Sequence, residues 1–371
     1  MMNRLFYVLC LVISSFSHIG DGLAIVKDDF ELERPNKSPI KSIYTKSGHI
    51  VDCIEINKQP AFDHPLLWNH TLQRKPSVKN SATKSDFILE KVDCPKESVP
   101  IQRMIKNNLI QDKSSFNTDI LDQNNVRYFG AYAYHNDGTH YGASGTTNIY
   151  NPTVSNGQSS ESSVHVKNGN GDGANVIVLG WHVHPQLYDD YGSHLFSLWT
   201  SDNFKSGCYN AYCPGFVQTD RSYYLGSRIG KTSTYGSTKV VQMSISIHQD
   251  EKTQNWWLSV ENKAIGYFPA HLFSNLNKAG EVGWGGLAKS VAGASPPLGS
   301  GHLPDGNLIH SGYFSHIQFL NDIRQDVDPV YGAVKTFSNA PDKCYGVKYY
   351  GHRKQLGCLL LFGGPGGACG N

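Results

Sequence analysis

The sequence predicts an all-β protein, an antiparallel double-layer β-sandwich preceded by a small N-terminal region. Three observations lead there. Charged residues make up only 17% of the chain, whereas 371 residues include 37 Gly, 20 Tyr and 16 Phe; low charge with many turn formers and aromatics suits short, half-buried strands. From Val126 onward, short alternating apolar runs recur, separated by Gly, Asn and Asp at the spacing of a sandwich or barrel. No long segment follows the 3.6-residue period of a helix, and no internal repeat is visible.

In chain order, residues 1–24 read as a secretory signal peptide. Arg4 supplies the positive start, Leu5 to Val12 the apolar run, and Gly22 and Ala24 the small residues before the cut. That run is shorter than the ~20 residues a bilayer requires. No later segment is long and apolar enough, so the chain is expected to be secreted with no membrane span. The net charge of +2 and the lack of a Lys/Arg cluster give nucleic-acid binding no electrostatic support. Asn36-Lys-Ser and Asn69-His-Thr are glycosylation sequons.

Residues 25–125 form the first region. Its opening is polar. Ile50 to Ile56 reads as a short strand or helix, and the prolines at 60, 65 and 76 forbid a long helix there. Lys79 to Asp86 and Lys106 to Asn125 read as linkers. The composition shifts at Val126 to Tyr134, which alternates as a strand, so a boundary is placed near Asn125 and the second region is 126–371. Further strands are expected at 147–150, 163–167, 196–199, 215–219, 240–248, 256–260 and 265–268, with a short helical piece at 270–277. Cys358 to Phe362 reads as a buried strand.

The second region is organised around Asn175 to Asp190. Val176, Ile177 and Val178 start a strand that alternates through His182, Val183 and His184 and stops at Pro185. Period-2 geometry puts Ile177, Leu179, Trp181 and Val183 on a core face. Val178, Gly180, His182 and His184 share the other face, which reads as the floor of a groove.

Cys10 leaves with the signal. Cys53 and Cys94 bracket the first region, Cys208 and Cys213 sit close together, and Cys344, Cys358 and Cys369 lie near the end. In an oxidising compartment most should pair. Cys358, inside its apolar run, is expected to stay free as a buried small hydrophobe.

The string VDCIEINKQPAFDHPLLWNHTLQRKPS, followed by CPKESVPIQR, resembles the activation peptide of the plant neprosin family. GWHVHPQLY, LFSLWTSDNFKSGCYNAYCPGFVQ, NWWL, IGYFPAHLF, WGG, GSGHLP and GGPG, in that order, resemble its catalytic domain. The resemblance covers about residues 49–371, with gaps near 155–175 and 225–250. It implies a pro-region at 25–125, a prolyl endopeptidase-like domain at 126–371, a sandwich with a cleft, and glutamic endopeptidase cleavage after proline at acid pH. With the bracketing above, the family pattern implies disulfides Cys53–Cys94, Cys208–Cys213 and Cys344–Cys369.

The resemblance also implies two glutamates, one acting as general base on water and one as acid. This sequence departs at both. The family's E-A-G-W-Q-V aligns with Val178 to Val183, so the first position is Val178. W-G-G-E-V aligns with Trp284 to Ala288, so the second is Leu287. Many relatives also carry a carboxylate just before the Trp, where this chain has Gly283. Neither Val nor Leu can take a proton, so no intact catalytic pair is expected. His182 and Glu281 are the fallback titratable groups. Gly180, His182, His184, Tyr188 and Trp284 are candidate groove residues.

His182 and His184 could hold a metal, but no third ligand is visible, and no metal is expected. The Cys208–Cys213 spacing is too wide for CxxC. Gly363 to Gly367 lacks the Lys-Ser/Thr of a phosphate loop, and no cofactor is expected. The reading is a secreted, apoplastic or cell-wall protein of the glutamic peptidase fold, catalytically degenerate. Its alternatives are an endopeptidase that works near proline with other residues, and a protein that binds proline-rich peptides or cell-wall polymers.

Overall fold

Runs of β-branched and aromatic residues broken by glycine turns produce strands almost throughout. The computed structural model describes residues 37–77, 89–104, 126–203, 207–261, 263–291 and 293–369. The expected signal segment, Asn36 and both expected linkers lie outside the described residues. The first region contributes β1 (Lys41–Tyr44), β2 (Ile50–Glu55) and β3 (Ser98–Gln102). Then follow β4 (Val126–His135), β5 (Gly142–Asn148), β6 (Ser159–Asn168), β7 (Asn175–Val183), β8 (Ser193–Thr200) and β9 (Gly207–Tyr209). Next are β10 (Val217–Gln218), β11 (Gln242–Gln249), β12 (Trp256–Val260), β13 (Lys263–Phe268) and β14 (Glu281–Val291). The last are β15 (Gly312–Leu320), β16 (Asp326–Val327), β17 (Lys335–Ser338), β18 (Gly346–Arg353) and β19 (Gly357–Gly363). Among the described residues, helix is confined to the turn Pro185–Tyr188 and short 3-10 turns, one of them Ala270–Leu272 in place of the longer helical piece expected there.

Two antiparallel sheets pack face to face. One runs β17-β4-β14-β6-β7-β8-β9; the other runs β10-β13-β12-β11-β5-β15-β19-β18, with β16 on β15. The core between them takes the alternate residues of each strand, including Ile177, Leu179, Trp181, Val282 and Trp284 from one sheet and Ile245, Leu258, Phe314 and Phe362 from the other. Two buried tryptophans link the layers: Trp181 Nε1 donates to the Asn148 carbonyl and Trp284 Nε1 to the Ser144 carbonyl, both at 2.9 Å and both on β5. Each indole therefore buries a large apolar area without leaving its N–H unpaired.

The first region folds as the sheet β1-β2-β3, closed by Cys53–Cys94. It docks on the sandwich through backbone and side-chain bonds. Leu89 bridges to Ile229, Gln59 exchanges hydrogen bonds with the Gln218 backbone, and Ser77 donates to Asp250. Residues 39–371 make one compact unit. Cys208–Cys213 and Cys344–Cys369 are also bonded, and Cys358 is free and buried.

Burial also creates an acid sensitivity. His140 is fully buried, with Nε2 2.7 Å from Nδ1 of His135 and Phe319 packed on both rings. Burial, with His135 adding, pushes the His140 pKa down to about 4. Between that value and ~6.5 the unfolded chain binds a proton that the folded chain refuses. Stability is therefore lost as pH falls through this window, by about 3 kcal/mol from His140. Urea unfolding at both ends of the window should show that fall in the parent and a correspondingly smaller one in His140→Gln; equal falls would refute it.

Candidate functional site

The outer face of the seven-stranded sheet is read directly from its ladder, because paired residues share a face. One row across it is Leu198, Val178, His165, Gly283 and Tyr134. A second row is His194, His182, Glu161, Leu287 and Gly130. Beyond Val178 in the other direction, Thr200, Val176, Lys167 and Glu281 form a third. Val178 and Leu287 thus share one face, with β6 between their strands. They are not level: four residues along and two strands across correspond to about 17 Å. The residue level with Val178 on β14 is Gly283, about 10 Å away across β6.

Val178 is fully buried on this face in an apolar cluster with Val176, Phe196 and Leu198, edged by Tyr209. Gly180 follows because β6 runs close: a Cβ there would meet the Ser162 carbonyl oxygen at 2.0 Å. Gly283 is different. A Cβ at that position would meet the His165 ring, with Cε1 at 2.3 Å and Nε2 at 2.8 Å. The imidazole of His165 therefore fills the space that a side chain at 283 would take.

His165 is part of a polar group. Its Nε2 lies 3.5 Å from Glu281 Oε1, and Lys167 Nζ lies 3.5 Å from the same oxygen. Burial raises the Glu281 carboxyl, but His165 and Lys167 outweigh it and hold the group below its ordinary range. Tyr132 meets His165 edge to face at 5.8 Å, and its phenol is held well above its usual range by burial, with the Glu281 charge adding. Glu281, reached from the sequence as a fallback, does stand beside the Val178 row. His165 was the residue missed; its signal was its place on β6, directly opposite Val178.

His182 stands apart from that group, in the Leu287 row. Its ring stacks on Phe196 at 4.0 Å and is fully buried. The Tyr188 hydroxyl accepts from Asn210 Nδ2 at 3.0 Å and lies 2.6 Å from His182 Nε2. This contact closes the ring at Nε2 and leaves Nδ1 as its other nitrogen. That Nδ1 has no hydrogen-bond partner among the described residues. Burial, with His184 and His194 nearby, lowers the His182 pKa well below its ordinary value. His184 lies just past β7, 5.6 Å from the His182 ring. Neither histidine belongs, among the described residues, to a group of three convergent metal-ligand atoms.

All five expected groove residues, Gly180, His182, His184, Tyr188 and Trp284, are buried rather than lining an open groove, and two are misplaced as well. Trp284 lies on the other face of β14, in the core between the sheets, because it is one residue out of phase with Gly283. Tyr188 is 2% exposed and stacks at 3.8 Å on His194, an internal prop rather than a lining residue. The partly exposed aromatics of this face come instead from its edge. Tyr132, Tyr134 and Phe337 make a stripe, with Tyr132 6.1 Å from Tyr134 and 5.0 Å from Phe337. Gly130 makes room for it, since a Cβ there would meet the Tyr132 ring at 2.9 Å.

Comparison with known proteins gives two family matches. The Neprosin model matches residues 156–365, and the Neprosin activation peptide model matches residues 42–144. Two solved structures of scytalido-glutamic peptidase are also similar. One, with a peptide-based transition-state analog, has a TM-score of 0.36 at 8% identity, covering 63% of this chain and 96% of that one. The other, with a transition-state analog inhibitor, has a TM-score of 0.35 at 9% identity, covering 64% and 98%.

Proposed function

The chain belongs to the neprosin family, and we propose that it is a secreted member that has lost glutamic peptidase catalysis but keeps a groove for extended, proline-rich peptides. In this reading residues 25–125 are the pro-region and 126–371 the peptidase-like domain. Disulfide pairing suits an oxidising, extracellular compartment, and the exposed Asn69 is the sequon we expect to be glycosylated.

One observation carries the loss of catalysis. An acid and a base must both reach one water, within hydrogen-bond distance. The two carboxylates on the groove face, Glu161 and Glu281, belong to rows six residues apart, about 20 Å along the strands. The row that spans Val178 and Gly283 carries no carboxylate. The positions whose side chains could converge on a shared water are 178 and 283, and both are aliphatic or absent. The aromatic stripe supports the binding half, since proline-rich segments dock against aromatic rings at small entropic cost.

The second reading is hydrolysis through His165 and Glu281, favoured by their 3.5 Å approach beside Val178. The test is hydrolysis of a quenched proline-containing peptide by the protein freed of its pro-region. No turnover above that of Glu281→Gln and His165→Ala supports degeneracy. Turnover that both substitutions abolish would establish the second reading, and turnover unaffected by either would overturn both.

A further inference from the structure

Besides the groove, the molecule brings together His49 of the first region and Asp190 and His194 of the sandwich. Their ligand atoms all lie within 4.8 Å of one another. His49 and His194 are buried and Asp190 is nearly so. The geometry points to a binding site for a divalent first-row cation of the zinc type, held by His49 Nε2, His194 Nε2 and an Asp190 oxygen, that staples the first region to the sandwich.

The orientation of both rings supports this. His194 Nδ1 lies 2.8 Å from the Gly226 carbonyl oxygen, which can only accept, so Nδ1 carries the proton. Its Nε2 then turns a lone pair toward Asp190, at 3.0 Å and 3.2 Å from the two oxygens. On His49, Nδ1 lies 3.0 Å from Ser47 Oγ, whose own proton goes to Glu90. Nδ1 is therefore a donor, and His49 Nε2, 3.1 Å from the Tyr188 carbonyl and 3.3 Å from Asp190 Oδ2, also carries a proton, which a bound ion would displace. Two ring nitrogens, a carboxylate and a carbonyl thus converge in a buried place, bridged by the His49 proton when no ion is bound. A cation that displaces the His49 proton takes the same place, and fixing the second ring nitrogen on an acceptor is how metal-ligating histidines are oriented.

The distances also fit. Bonds of ~2.0–2.1 Å around a tetrahedral ion put neighbouring ligand atoms about 3.3 Å apart. The Asp190 oxygen that faces both rings, Oδ2, lies 3.2 Å from His194 Nε2 and 3.3 Å from His49 Nε2. Two imidazoles and a carboxylate suit zinc better than a hard cation such as calcium. Arg228 Nη1, 3.0 Å from Asp190 Oδ2, adds a positive charge beside the site. It engages Oδ2, and the Gly192 N–H donates to Oδ1 at 2.6 Å, so the carboxylate is held in place. The arginine lowers affinity for a cation and occupies one lone pair of Oδ2, but the oxygen has a second for the ion.

The experiment uses the full chain, stripped with a chelator and titrated with Zn2+ alone near neutral pH by calorimetry. One ion per chain is expected, with a thermal midpoint raised by roughly 5 °C at saturation. Co2+ alone should give a visible absorption band typical of four or five ligands including nitrogen. His49→Ala, in the docked first region, and His194→Gln should each weaken binding at least about a hundredfold. The wild-type Co2+ spectrum keeps the test decisive where a variant misfolds. No ion bound at up to about 100 μM Zn2+ would overturn the site in favour of a protonated His–Asp network. Binding unchanged in both variants would overturn it too, and would move the ion to a place such as Asp328, His352 and Cys358.

Discussion

A triple variant, Val178→Glu with Gly283→Glu and His165→Gln, is expected to gain peptide hydrolysis by roughly a thousandfold over the parent, since one positioned acid or base contributes ~10²–10⁴. The three changes belong together. Val178 and Gly283 are level across β6, so glutamates there extend toward each other over the intervening strand. Two carboxylates so placed cannot both ionise cheaply, which splits them into acid and base. Gly283→Glu alone would drive its Cβ into the His165 ring, so the imidazole must first give way to a smaller amide. Val178→Glu alone should instead destabilise, by burying a carboxylate among Val176, Phe196 and Leu198. The readout is cleavage of a proline-containing peptide at acid pH by the folded variant, freed of residues 25–125. A folded triple variant with no gain would show that this row is not the place of the family's chemistry.

The largest stability effect is expected at Trp284. Trp284→Ala should cost about 3–5 kcal/mol, the range for truncating a buried aromatic. Its indole is 1% exposed, packs between the sheets, and donates to the Ser144 carbonyl on β5. Truncation removes that contact area and leaves the carbonyl without this donor. Tyr132→Ala, on the partly exposed outer stripe, should cost far less. Urea unfolding of both variants in the full chain tests the contrast. A Trp284→Ala midpoint close to the parent's would mean that the core face of β14 is wrongly assigned.

The fold was legible where alternation was clean. Val176 to Val183 read as a strand, and its core face, Ile177 to Trp181, is the one found between the sheets. β14 was not marked as a strand, because three glycines interrupt its apolar pattern. It forms because Gly285 and Gly286 allow the close approach of both neighbours, β4 and β6. The phase of that strand then decided the site. A motif alignment places residues along a chain but cannot give the stagger between strands. Leu287 therefore falls level with His182 and not with Val178. For the same reason Trp284 looked like a groove residue until its odd phase from Gly283 was visible. The cluster of His49 with Asp190 and His194 joins positions 141 and 4 residues apart in the chain, a proximity that no local spacing encodes.

The most direct measurement of the central claim is mass spectrometry of a proline-rich peptide incubated with the protein freed of residues 25–125, across about pH 2 to pH 7. A retained groove without its catalytic pair predicts a complex of protein with intact peptide, weakened by Tyr132→Ala, and no shorter products beyond a buffer control. Peptide fragments ending at proline, formed by the parent and lost in Glu281→Gln, would contradict it.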